Sequence, residues 1–130
     1  VAKTFIIEGS RIEDIPSFYR EINRLFMVNE DWQVGESLDA LNDLFYGGFG
    51  EMKGNEPIHL IWKDFEKNKQ DLGKEETKAY YQQKLNSPAL YNIPYIQQKL
   101  NELENGTGPT YFDIILEIIT AHPNIQLIQN

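Results

Sequence analysis

The chain has no cysteine. That excludes disulfides, thiolate metal sites and a cysteine nucleophile, and it fits a reducing compartment. Histidine is nearly as scarce: only His59 and His122 occur. Neither has a motif partner nearby, and both read as structural. The opening residues VAKTFIIEGSR carry no charged-then-apolar leader. No apolar run approaches the roughly 18 residues of a membrane span. The expectation is a cytoplasmic chain without membrane contact. Positive charge is also short, with 12 Lys and Arg against 20 Asp and Glu, a net charge of −8. Phosphate backbones are bound by clustered Lys and Arg, so nucleic acid is not an expected direct partner. A basic protein fits better, although acidity can also serve solubility alone.

The sharpest local shortage lies between Glu30 and Glu51. Six carboxylates (Glu30, Asp31, Glu36, Asp39, Asp43 and Glu51) fall there without one Lys or Arg. Within it, WQVGESLDALNDLFYGGFG reads as a short helix between a loop and a glycine turn. Ser37 is a natural N-cap, its hydroxyl accepting a free amide proton of the first turn. Leu38, Leu41 and Phe45 recur at helical spacing and should face a core. Asp39, Asn42, Asp43 and Tyr46 share the opposite face. Gly47 and Gly48 should end the helix, at positions that call for positive φ.

What is present elsewhere suits one domain over residues 1–130, with 41% apolar residues to build a core. KTFIIE, closed by Gly9, reads as a buried strand, and Ile15 to Met27 as a helix with Pro16 in its first turn. FGEMKGNE reads as an exposed turn. PIHLIW reads as a strand covered on both faces, and Lys63 to Leu72 as a short polar helix. Lys74 to Asn105 differs in character. YYQQKLN and YIQQKLN recur fifteen residues apart. Two copies are too few for a solenoid and suggest two amphipathic helices broken at Asn86–Pro94. NGTGP is a turn, Thr110 to His122 an apolar helix and NIQLIQ a terminal strand. Strands separated by helices favour parallel pairing through right-handed crossovers. The expected fold is α/β: a small three-stranded parallel sheet packed with helices.

Taken in order, GESLDALNDLFYGG, PIHLIW, KDFEKNK and FDIILEIITAHPNIQLI resemble the barstar family of intracellular ribonuclease inhibitors. The resemblance covers residues 3–72 and 109–130, and leaves 74–105 as a helical insertion atypical of the family. It implies the same parallel sheet and a protein that is not an enzyme. Such a protein would block the active site of a small basic ribonuclease or other nuclease toxin, and would be monomeric when free. By position, Asp39 and Asp43 match the two acids of the family's inhibitory helix, Asp43 being the one that enters the catalytic site. Glu117 matches an accessory acid of the last helix. Gly47 and Gly48 match the loop after the inhibitory helix. The aromatic anchors differ. Asn42 stands at a tryptophan position, Gln33 and Val34 stand beside Trp32 where an aromatic precedes the glycine, and Gly48 stands beside Phe49 where one follows the helix. The expected partner-binding set is therefore Glu36, Asp39, Asn42, Asp43, Tyr46, Gly47, Gly48 and Glu117, with Trp32 and Phe49 either at the interface or in the core. No cofactor or metal is expected.

Other readings remain open at this point. Asp39 and Asp43 would also suit a plain solvated face, and Glu117 could satisfy a neighbouring cation. Glu36, Asp39 and Asp43 together offer hard oxygen ligands, although no dense ligand loop surrounds them. The scaffold could also serve another toxin or a regulatory partner. In that case 74–105 would be either a second contact site or a hairpin covering the sheet.

Overall fold

The protein is described here by a computed structural model covering residues 2–130. Three strands, β1 (Lys3–Ile7), β2 (Ile58–Trp62) and β3 (Ile125–Gln129), form one parallel sheet in the order β1-β2-β3. In register, Leu60 lies between Phe5 and Leu127. β2 holds the centre because every side chain of IHLIW is buried or half-buried, as a strand with neighbours on both edges requires. Helices make the crossovers: α1 (Ile15–Phe26) and α2 (Leu38–Phe45) between β1 and β2, then α3 (Phe65–Asp71), α4 (Lys74–Leu85), α5 (Ile93–Glu104) and α6 (Tyr111–Thr120) before β3. Among the described residues no helix is long and apolar enough to cross a membrane.

Local chemistry sets the helix ends. Asp14 and Ser17 form a capping box at the start of α1, with Pro16 in the first turn. That bonding holds the Asp14 carboxyl below the usual carboxylate range. α3 starts two residues later than Lys63 because Asp64 adopts a left-handed φ of 54°. Pro94 sits inside the first turn of α5, where its missing N–H costs nothing, rather than in the preceding break. The core lies against the sheet. Trp62 meets Phe112 at 5.3 Å and Phe18 at 5.9 Å between ring centroids. Its indole N–H donates to the buried Asn68 amide oxygen at 2.7 Å.

Residues 74–105 do form a helical hairpin. Lys78 near the start of α4 pairs with Glu104 at the end of α5 at 2.9 Å, so the two run antiparallel. Tyr81, Ile96, Leu100 and Leu103 make a small core of their own. The sequence repeat is also a structural one: Lys84 lies over Tyr80 at 4.3 Å and Lys99 over Tyr95 at 5.3 Å, the same two positions in each copy. The hairpin is tied into the sheet domain. The Glu76 carboxylate accepts the Ile15 N–H at 2.8 Å, and the Thr77 hydroxyl accepts the Tyr111 N–H at 2.7 Å. Beneath it the Tyr19 and Tyr111 hydroxyls share a 2.6 Å hydrogen bond. Burial pushes both phenols far above their ordinary range, so the pair stays neutral.

Candidate functional site

α2 is eight residues long, too short to be stable alone, so its neighbours must hold it. Leu41, Leu44 and Phe45 are fully buried and Leu38 half-buried, with Phe45 edge-on to Phe26 at 5.9 Å. Leu44 is a core position that the spacing of Leu38, Leu41 and Phe45 left out. At the start, the Ser37 hydroxyl accepts the Ala40 N–H at 3.0 Å. The loop before it is pinned by Asn23, whose side-chain amide both accepts the Val34 N–H at 2.9 Å and donates to the Val34 carbonyl at 3.1 Å.

The two glycines after α2 are not equivalent. Gly47 has φ +83°, and a Cβ there would sit 2.3 Å from the Gly54 nitrogen, whose N–H donates to the Gly47 carbonyl at 3.0 Å. Gly48 has neither a positive φ nor a neighbour that a Cβ would meet. The expectation of positive φ at Gly48 is thus corrected. The second left-handed glycine of this turn is the buried Gly50, at φ +71°.

The acidic face is bare of internal partners. Glu36, Asp39, Asp43 and Glu117 are all exposed. Among the described residues, none of the four side chains takes part in an ion pair. Six of the chain's twelve Lys and Arg residues pair with other carboxylates: Lys3 with Glu56, Arg24 with Glu21, Lys63 with Glu8, Lys67 with Asp71, Lys78 with Glu104 and Lys99 with Glu102. Asp39 and Asp43 lie one turn apart, an axial rise of about 6 Å, on the same face. Glu117 joins them from a distant part of the chain. A shallow groove between α2 and α6 is floored by Leu38, Ile114 and Ile118 and flanked by Asp39, Asn42 and Glu117.

Asn42 faces that groove but is already engaged. Its side-chain oxygen lies 2.7 Å from His122 Nε2. His122 is only 4% exposed, and burial lowers its pKa. The exposed Tyr46 ring packs edge-on to it at 4.6 Å. His122 therefore fastens α2 to the end of α6. Its structural role was expected, but its link to the site was not; the two residues are 80 apart and no local pattern joins them. Trp32 and Phe49 meet at 4.9 Å between centroids. Trp32 is 45% exposed and donates its indole N–H to Glu30 at 3.2 Å, while Phe49 is half-buried. They form a partly exposed aromatic patch built by the segments on either side of α2.

A rigid helix with free carboxylates can offer paired oxygens to guanidinium and ammonium groups, the geometry by which Arg grips carboxylate or phosphate. Among the described residues no group of three or more His, Cys, Asp or Glu is placed to hold a metal ion, so Glu36, Asp39 and Asp43 do not converge as a ligand set.

Residues 2–82 match the family described as Barstar (barnase inhibitor). The match begins at β1, includes all of α2 and runs into α4. The C-terminal stretch from residue 109 lies outside it. No curated protein matches the chain. The matched span exceeds half of the 130 residues and carries β1, β2 and the acidic helix with its cap and turn, and on that ground the chain belongs to the barstar family, whose members inhibit ribonucleases.

Proposed function

We propose that this chain inhibits a small basic ribonuclease, acting as the immunity partner of a ribonuclease toxin, by presenting the carboxylates of α2 to the enzyme's phosphate-binding cleft. The observation that carries the reading is that Asp39, Asp43 and Glu117 are exposed and unpaired among the described residues, where every ion pair joins other carboxylates. A ribonuclease cleft concentrates Arg, Lys and His to stabilise charge on the phosphate. Asp43, with Asp39 one turn away, supplies negative oxygens in place of that phosphate. Glu117 extends the contact across the groove.

The mechanism is occupancy, without turnover. Like charges at i,i+4 repel by a few tenths of a kcal/mol in the free helix, and the enzyme's cations relieve that repulsion. The fixed helix has already met most of the ordering cost that a flexible acidic segment would incur on binding. A net charge of −8 opposite a basic enzyme accelerates encounter, and added salt slows it.

The test is inhibition of RNA cleavage by barnase, with affinity measured by calorimetry. Stoichiometric inhibition is expected, with affinity falling on Asp43→Ala by about 2–5 kcal/mol, the general cost of truncating one partner of a buried, hydrogen-bonded charge pair, a setting in which a complex of this family is itself a measured example. That corresponds to a loss of affinity of roughly thirty-fold to several thousand-fold. No inhibition at micromolar concentration, or equal inhibition by Asp43→Ala, overturns the reading. Binding to a regulatory protein in place of a nuclease would then be the better account of the same acidic face.

A further inference from the structure

Besides Val28, the exposed large apolar side chains fall into two groups. Trp32 and Tyr46 flank α2, while Leu90, Tyr91 and Tyr95 stand together around the turn between α4 and α5. Leu90 and Tyr91 of the second group border a cleft of about 430 Å³ between the start of α1 and the hairpin. Its wall is mixed: the aromatic rings of Tyr80 and Tyr91 and the carboxylate of Glu76 on the hairpin side, and the carboxylates of Asp14 and Glu36 on the other.

Two features give the cleft a definite chemistry. The first is that it already seats an ammonium. Lys84 Nζ lies 4.3 Å from the Tyr80 ring centroid and 4.9 Å from that of Tyr91. Among the described residues it has no carboxylate partner, so the tyrosine faces are the groups that hold it. The second is the charge left over: three carboxylates line the cleft against this single cation. Glu76 gives one oxygen to the Ile15 N–H and Asp14 caps α1, but Glu36 is exposed and unengaged. Leu90, 76% exposed at the mouth, supplies apolar surface for an aliphatic stem.

Position ties the cleft to the acidic helix. Glu36 lines the cleft and immediately precedes Ser37, the N-cap of α2. A protein covering the start of α2 therefore reaches the cleft without leaving the surface.

We infer that the cleft between α1 and the α4–α5 hairpin is a second contact for the same basic partner, receiving one of its Lys or Arg side chains. The aliphatic stem lies along Leu90 and Tyr91, and the charged head meets Glu36 and the remaining oxygens of Asp14 and Glu76. A long basic side chain is the occupant that fits both halves of this wall, since it joins an apolar stem to a cationic head. The inference rests on the inhibitor reading above and names where the hairpin would enter it.

The experiment compares two changes in one assay, binding to barnase at low and high salt. Leu90→Lys places a like charge at the mouth, on an exposed turn where no core packing is lost. The expected result is a fall in affinity of roughly tenfold or more, carried mainly by slower association. Asp43→Ala serves as the reference, circular dichroism confirms that both variants are folded, and Tyr91→Ala is expected to weaken binding as well. Wild-type affinity in both hairpin variants, with affinity lost in Asp43→Ala, overturns the cleft contact and leaves the inhibitor reading standing. Wild-type affinity in all three variants overturns the inhibitor reading and the cleft contact with it. Loss in both the hairpin and the helix variants supports the two contacts together.

Discussion

Replacing Asn42 by Ala tests the fastening that holds α2 to α6. In the folded chain the Asn42 side-chain oxygen accepts from His122 Nε2 at 2.7 Å, and His122 is 4% exposed. Alanine removes the acceptor and leaves a buried ring nitrogen without a partner. Leaving such a group unsatisfied costs about 1–3 kcal/mol. Alanine's better helix propensity returns up to roughly 0.7 kcal/mol. With that full return the expected net loss is about 0.3–2.3 kcal/mol, read as a lower urea midpoint with unchanged slope. The decisive measurement is a double-mutant cycle with His122→Ala. If the two side chains act as one unit, the coupling energy should fall within about 0.5–3 kcal/mol. Additive losses would refute the fastening and leave Asn42 as a side chain that merely lies beside the groove. Asn42→Asp is the informative control. It keeps an acceptor at the same place and adds a charge that favours the protonated ring, so it should lose less stability than alanine under mildly acidic conditions.

The glycines after α2 give a paired prediction. Gly47→Ala forces a Cβ into a left-handed backbone, at about 1–2 kcal/mol, and into the Gly54 backbone besides. Gly48→Ala meets nothing and should stay within about 0.5 kcal/mol of wild type; equal losses in urea unfolding would contradict the assigned turn. The pH dependence of stability follows from His122. Burial lowers its pKa in the folded chain, so on acidification the unfolded chain takes up the proton first. Its contribution is intact above the unfolded value of about 6.5 and is lost as pH falls through the lower folded value. Asp14 has the same sign, but its loss begins only near the ordinary carboxylate value of 3.8. His122→Gln should therefore flatten the stability profile between about pH 7 and 5, and an unchanged profile there would refute the assignment.

How much of this was legible in the sequence depends on the range of the interactions involved. The strands, the capped α2 and the parallel topology are written in local spacing. Ser37 does cap α2, and the YxxxK repeat does become two helices with matching cation–ring contacts. The acidic face was visible for the same reason, since a lack of bases over a 22-residue window is a local fact. Long-range pairings were not visible. Nothing near Asn42 announces His122, and nothing near Glu76 announces the Ile15 amide. The two glycines mislead because composition cannot separate a glycine required by its φ from one that simply stands next to it.

On the inhibitor reading proposed above, the properties that suit α2 to binding are those that leave it unable to stand alone. An eight-residue helix carrying like charges one turn apart has little stability of its own. Leu41, Leu44 and Phe45 compensate from the buried side, Ser37 from the N-terminal end, Gly47 from the turn and His122 from α6. The supports that involve polar groups are hydrogen bonds between neutral side chains and backbone rather than ion pairs. A cation brought in to steady the helix would have neutralised the carboxylates that the proposed basic partner is to meet. Holding a charged face in place with uncharged fastenings is what lets the same surface be both rigid and unsatisfied.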